Sequence, residues 1–225
     1  MNIPIWGISK WRDFEQCPAM YYAKNVTKEW KDFPNDAMNR GRQVHKSLED
    51  AVKYELQLPE ELARFNAFVG NVIEARNGGA TVVPEHKFGM SIDYQRTPFF
   101  EGNNLRVRLA LDLYIEKDRH VVIIDYKTGK HKTEHEEDAE FYGAATHMTH
   151  GALTTEVQYL YVDHPECSFS KHIEDSALIM SNWWKKFEYA DKLIAGGNPP
   201  RTPCNACSWC GAFKCPNNKN RKLGN

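Results

Sequence analysis

VVIIDYKTGK, residues 121–130, carries four β-branched residues straight into Asp125, Tyr126 and Lys127 and then turns at Thr128-Gly129. An unbroken Val/Ile run reads as a strand buried on both faces. Side chains alternate along a strand, so Asp125 and Lys127 share a face about 7 Å apart. A carboxylate and an ammonium at the end of so apolar a strand are costly unless something uses them.

Working outward, LRVRLALDLYI (105–115) alternates strictly. Leu105, Val107, Leu109, Leu111, Leu113 and Ile115 are expected on one face, with Arg106, Arg108, Ala110, Asp112 and Tyr114 on the other. The turn Lys117-Asp118-Arg119 joins this strand to the next as a hairpin. TVVPEHKF (81–88) precedes them as a first strand, and VQYLYV (157–162) follows a helix expected over 135–149. Ser9 is the expected cap of a helix bearing Trp11, Phe14, Tyr21 and Tyr22, which Pro18 splits. Residues 27–38 read as a loop, RGRQVHKSLEDAVKYEL (40–56) as a helix, and PEELARFNAFVGNVIEAR (59–76) as another. A long helix is expected over 173–195. The order of elements implies an α/β or α+β fold, a central mixed β-sheet flanked by helices. We expect one domain over 1–225, with 198–225 a cysteine-rich tail.

The 225 residues are 41% hydrophobic and carry a net charge of −1. No run approaches the roughly 18 apolar residues of a membrane span, and the first residues lack the apolar core of a leader, so a cytoplasmic protein is expected. Near-neutrality argues against a protein that merely coats nucleic acid. The local basic groups (Lys24, Lys28 and Lys31; Lys127, Lys130 and Lys132; Lys214, Lys219, Arg221 and Lys222) read first as solvated faces.

Asp112 stands on the polar face of its strand, near where the hairpin delivers Asp125 and Lys127. Carboxylates on adjacent strands repel unless a cation lies between them, and oxygen ligands select a hard one, Mg²⁺ or Mn²⁺. The lysine then helps deprotonate water or stabilises phosphoryl charge. The plainer alternative is a structural salt bridge between Asp125 and Lys127.

ALDLYI followed by VVIIDYKTGK closely resembles the core of the PD-(D/E)XK nuclease superfamily, in its RecB-like branch. GRQVH, with Gly41 and His45, is similar to that branch's G-x-x-x-H. The resemblance implies a restriction-endonuclease-like core in which His45, Asp112, Asp125 and the Tyr126 carbonyl hold the metal and Lys127 is the catalytic lysine. The branch's Q-x-x-x-Y is matched only by DAEFY, so Tyr142 is retained as a candidate catalytic residue while Asp138 replaces the glutamine. Leu111 stands where the superfamily's proline precedes the first acid. Glu85 and Glu49 could flank the site, though a solvated surface is the expectation for both.

Four of the six cysteines crowd into CNACSWCGAFKC (204–215), with Cys17 near the start and Cys167 apart, an ordinary thiol. Thiolates select zinc or iron–sulfur. One arrangement uses Cys204, Cys207, Cys210 and Cys215 for zinc; another uses Cys17, Cys207, Cys210 and Cys215. The resemblance implies the second. ISKWRDFEQCPAMYY and the C-terminal C-x2-C look like the two ends of the iron–sulfur members of the branch, the CRISPR-associated exonucleases of the Cas-four type and the AddB-type nuclease domains. There a 4Fe-4S cluster clamps the N-terminal helix to the tail. Here the last spacing is one residue shorter.

The resemblance implies a metal-dependent DNA nuclease, with exonuclease action on single-stranded or end-bearing DNA favoured. A structure-specific endonuclease and a catalytically weak DNA-binding or assembly subunit are the alternatives. Without helicase motifs, any unwinding falls to a partner helicase or recombination protein. Recombination, repair or phage DNA metabolism would suit it, and homo-oligomers occur among related nucleases.

Overall fold

The structure, a computed structural model, describes residues 4–30, 35–102, 104–212 and 214–219. Lys31, Arg221 and Lys222 of the basic groups lie outside the described residues. The chain forms two compact units, one of residues 1–35 with 183–225 and one of residues 36–182.

The first unit holds α1 (Ile8–Gln16) and α2 (Pro18–Asn25). Cys17 is extended between them and Pro18 opens α2 at a position where its missing N–H costs nothing. Helix α1 begins at Ile8 with Gly7 before it, so Ser9 lies inside the helix rather than capping it. The core of this unit is aromatic. Trp6 stacks on Tyr21 at 5.0 Å and on Phe187 at 5.4 Å, and its indole N–H donates to Asp191 Oδ1 at 3.0 Å. Trp11 and Trp183 meet edge to face beside them.

The second unit is built on a six-stranded mixed sheet, order β2-β1-β3-β4-β5-β6. Its elements are α3 (Asp36–Tyr54), α4 (Asn66–Asn77), β1 (Thr81–Ser91), β2 (Arg96–Thr97), β3 (Leu105–Lys117), β4 (His120–Lys127), α5 (Glu134–His150), β5 (Thr154–Tyr161) and β6 (Phe169–His172). The last helix, α6 (Ser176–Ala195), gives its residues from 183 onward to the first unit. Strand β4 pairs antiparallel with β3 and parallel with β5, across the α5 crossover. The β3–β4 hairpin turns through Asp118 and Arg119 alone, with φ of 51° and 65°, the left-handed pair that matches the twist of the flanking strands. Helix α5 packs so closely that a Cβ on Gly143 would strike Ile173 and Val157, which is why glycine stands there.

Helix α3 buries Val44, Leu48, Ala51 and Val52, the i, i+4, i+7, i+8 stripe of an amphipathic helix. This stripe joins Leu62, Phe65, Val69, Leu113, Ile124 and Tyr126 in one apolar cluster. Residues 59–76 do not form one helix: Glu60–Phe65 is a 3-10 turn before α4. Strand β4 is buried on both faces, as its composition predicts.

Strands β1 and β3 break the expected alternation. Leu113 and Ile115 lie in the cluster beneath α3 and α4, whereas Val107, Leu109 and Leu111 are buried outside it. On β1, Val82 packs against the same cluster, but His86 turns to Tyr114, with rings 4.7 Å apart, and to His150. The reversal falls at Glu85, whose φ of 51° is left-handed.

His86 and His150 face each other through their Nε2 atoms at 3.1 Å, and burial lowers both pKa values to about 4. Arg96 pushes both down, while Glu116 opposes the shift at His150. The folded pKa values thus lie below the unfolded value of about 6.5. Between pH 6.5 and 4 the unfolded chain binds more protons, so stability is lost as pH falls through this window. We expect a loss of roughly 1 kcal/mol per histidine after allowing for partial exposure. Urea unfolding at pH 7.5 and 4.5 measures it, and His150→Gln should flatten the dependence.

Candidate functional site

Asp112 is oriented from two sides. Its Oδ2 accepts the Tyr126 backbone N–H at 2.7 Å, and its Oδ1 lies 3.1 Å from His45 Nδ1 on α3. Burial disfavours a charged imidazole at His45, but the hydrogen bond and charge of Asp112 outweigh it and raise the pKa. Glu85 completes a group: one ligand atom each from His45, Glu85 and Asp112 lie within 4.8 Å of one another. The β1–β3 register passes from Pro84–Leu113 to His86–Leu111, with Glu85 and Asp112 facing each other between these pairs. The left-handed residue therefore sits where a carboxylate is delivered to Asp112. Lys87 Nζ lies 3.1 Å from Glu85.

Asp125 and Lys127 form the other half. Asp125 is 9% exposed, and its Oδ2 is buried without a hydrogen-bond partner. Lys127 Nζ lies 2.5 Å from that oxygen, a close ion pair rather than an aligned hydrogen bond. Burial, with Asp112 adding to it, pushes the Asp125 carboxyl up to about 6 against the pull of Lys127. Burial works against the Lys127 ammonium, yet the charge of Asp125 prevails, helped by Asp112 and Asp138, and raises its pKa.

The parallel register sets Tyr159 beside Asp125 and Tyr161 beside Lys127. Lys127 Nζ lies 5.1 Å from the centroid of the Tyr159 ring, whose hydroxyl is buried without a hydrogen-bond partner. Tyr159 went unnoticed in the sequence, although pairing VQYLYV with VVIIDYK would have placed it. Tyr142 lies on α5 and meets Phe141; Asp138, in the motif position of the glutamine, is buried. Glu49 pairs with Lys46 and Lys53 on α3, its side chain only 18% exposed and so less open than the solvated surface expected. Glu85, 35% exposed and paired with Lys87, also stands in the candidate metal group with His45 and Asp112, a place the surface expectation did not give it.

In the first unit, Cys17, Cys204, Cys207, Cys210 and Cys215 line a cavity of about 220 Å³. The Thr202 N–H points to Cys17 Sγ at 3.4 Å, and Ala19 N–H donates to Pro200 O at 3.1 Å, so the tail lies against the start of α2. Burial raises the Cys210 thiol pKa; Cys215, Cys207 and Cys17 are the thiols close enough to add to it. Cys204 is exposed. Asn218 is buried and donates to the Cys210 and Ala212 carbonyls, holding the turn between the last cysteines. Among the described residues, no three cysteine sulfurs lie within 4.8 Å of one another.

A six-stranded mixed sheet with acids and a lysine at the end of its central strand defines a metal-dependent phosphodiesterase class of site. Residues 74–215 match the PD-(D/E)XK nuclease superfamily, and the chain belongs to that superfamily. No curated protein sequence matches it. Among similar solved structures is the crystal structure of SSO0001, 15% identical with a TM-score of 0.47, covering 97% of this chain and 89% of its own. Another is a crystal structure named "Putative exonuclease", from Eubacterium rectale, 11% identical with a TM-score of 0.53, covering 90% of this chain and 86% of its own. With the second the chain shares its fold. Among the described residues no helix is long and apolar enough to cross a membrane.

Proposed function

We propose that the protein is a divalent-metal-dependent deoxyribonuclease that degrades single-stranded or end-bearing DNA. The observation that carries this reading is the convergence of His45, Glu85 and Asp112 within 4.8 Å, with the buried Asp125–Lys127 pair beside them. Two carboxylates and an imidazole suit Mg²⁺ or Mn²⁺. Asp125, buried beside Lys127, would be a fourth ligand, and the Tyr126 carbonyl a fifth in the proposed set. A bound cation supplies Lewis acidity to the phosphoryl group and a more acidic water. Asp112, fixed by Tyr126 N–H and His45, orients the site without further rearrangement. Lys127 remains an ammonium at neutral pH, which suits it to stabilise developing phosphoryl charge rather than to take a proton. Tyr142 on α5 is kept as a candidate contact to the substrate.

Exonuclease action is supported by the shared fold with a protein of that name. Purified protein with Mn²⁺ should shorten end-labelled linear single strands and leave circular ones intact. Cleavage of circles would mean an endonuclease, and binding without cleavage an assembly subunit.

Glu85 links function to strain. A left-handed conformation costs a non-glycine residue roughly 1–2 kcal/mol. Glu85→Gly should therefore raise stability by about 1 kcal/mol in urea. It should also weaken Mn²⁺ binding at least about tenfold by calorimetry. A variant that loses stability and keeps its metal affinity would remove Glu85 from the ligand set.

We also propose that Cys17, Cys207, Cys210 and Cys215 hold a 4Fe-4S cluster. Cys17 lines the same cavity of about 220 Å³ as the cysteines of the tail, and the Thr202 N–H points to its sulfur, which supports a ligand set that joins the two ends.

A further inference from the structure

Phe99 and Phe100 sit between β2 and β3 with their rings edge to face, centroids 4.8 Å apart. Phe100 is 74% exposed, the most open large hydrophobic side chain among the described residues. The pair is braced. Arg108 Nε donates to the Phe99 carbonyl at 2.8 Å and Nη2 to the Phe100 carbonyl at 3.4 Å. The guanidinium carbon lies 5.6 Å from each ring centroid, so one side chain fixes both backbone and rings.

The strand register ties this pair to the candidate metal group. Arg108 stands opposite Gly89 and Ala110 opposite Lys87, and Asp112 shares the candidate metal group with Glu85. Directly opposed residues share a face and every second residue returns to it, so Arg108 and Ala110 line one surface together with Gly89 and Lys87. The alternation reverses at Glu85, and it is the Glu85–Lys87 ion pair, with Glu85 beside Asp112, that carries this surface on to the candidate metal group. A Cβ on Gly89 would strike Thr97 and the Pro98 carbonyl, so the segment leading into the phenylalanines crosses the same face. Between the acids and the rings lie exposed Ala110, which leaves the floor low, and Lys87, half exposed, which offers a cation. Four residues of strand separate Asp112 from Arg108, about 13 Å. That is the span of about four stacked nucleotides at 3.4 Å each.

We propose that Phe99 and Phe100 are a base-stacking platform for single-stranded DNA, about four nucleotides from the phosphodiester held at His45, Glu85 and Asp112. The proposal rests on the nuclease reading for its direction of travel. Every base presents a π-face, so such a platform grips a strand without reading its sequence. It would hold the substrate in register while the lysine and acids act on one phosphate.

Fluorescence anisotropy of the full chain with labelled oligothymidylate in EDTA, where no cleavage occurs, tests the platform. Phe99→Ala/Phe100→Ala should bind about tenfold or more weakly than wild type. An abasic oligomer of equal length should bind wild type and variant alike, because only the phosphates remain. Phe100→Trp should hold the strand at least as well as phenylalanine, while Phe100→Leu, apolar without a π-face, should not. The salt dependence should be the same for all, since no phosphate contact is removed. Equal binding by variant and wild type, or an equal deficit on the abasic oligomer, overturns the platform. Hydrolysis of bis(p-nitrophenyl) phosphate with Mn²⁺, a diester with no base to stack, is followed on the same proteins. If it persists while stacking is absent, the platform alone falls; if hydrolysis and strand binding are both missing, the nuclease reading falls with it.

Discussion

Lys127→Ala should lower kcat/KM for Mn²⁺-dependent DNA cleavage at least about 100-fold with KM little changed, the pattern of a group that acts chiefly in the transition state. Asp125 is buried, and its carboxylate keeps its charge against burial and Asp112 chiefly through Lys127. Removing the ammonium leaves a buried carboxylate with no close cation, an arrangement that costs up to about 3–5 kcal/mol when the charge persists. The carboxyl can instead take up a proton, and without Lys127 its pKa rises above the value of about 6 it has beside the lysine, so the variant should lose stability as pH climbs beyond that value. Adding Asp125→Asn removes the stranded charge: the double variant should recover stability in urea and stay inactive. This cycle separates the catalytic reading from the structural salt bridge that the same residues could form. Under the salt-bridge reading, cleavage tracks stability, and the double variant regains both.

Where the side chains go is only partly legible from the residues. The run 121–127 announces a buried strand because β-branched residues have few other homes, and its end residues do meet, Lys127 against Asp125. His45 and Asp112 are 67 residues apart, and no local pattern brings a helix to that strand. Only the G-x-x-x-H resemblance suggested their meeting. Glu85 reads first as a solvated acid because nothing within TVVPEHKF ties it to Asp112. A left-handed glutamate inside a strand has no local signal, since its cost is met by the tertiary structure around it. The same residue explains why Leu113 and Leu111 part company although their spacing is regular. Short edge strands such as Phe169–His172 escaped notice for a related reason, since four residues at a sheet edge bury too little to leave a pattern. The 3-10 turn at Glu60–Phe65 kept helical spacing in sequence because i, i+3 neighbours are common to both helix types.

The cysteine cavity carries the other large effect. Protein purified without oxygen should show the broad visible absorbance of an iron–sulfur cluster, and Cys17→Ser or Cys210→Ser should abolish it. Cys204→Ser should retain it. Cys210 has Cys17, Cys207 and Cys215 as its thiol neighbours, whereas Cys204 is exposed. Cys204 caps the turn Asn205–Ser208, its side chain accepting the Cys207 N–H while its own N–H points at Cys207 Sγ at 3.5 Å, and serine can serve in both places. Loss of the cluster should also destabilise the protein. Cys17 and Thr202, whose N–H points to its sulfur, are separated by 185 positions. A cross-link across so long a loop removes about 5 kcal/mol of chain entropy from the unfolded state. At roughly 2–4 °C per kcal/mol for a chain of this size, Cys17→Ser should lower Tm by about 10–20 °C. Cys204→Ser should shift it by no more than a surface substitution does. A tail-only zinc site reverses this order: elemental analysis would find zinc, Cys204→Ser would release it, and Cys17→Ser would leave it bound, because Cys17 then contributes no ligand and the N-terminal helix is held by its aromatic core alone.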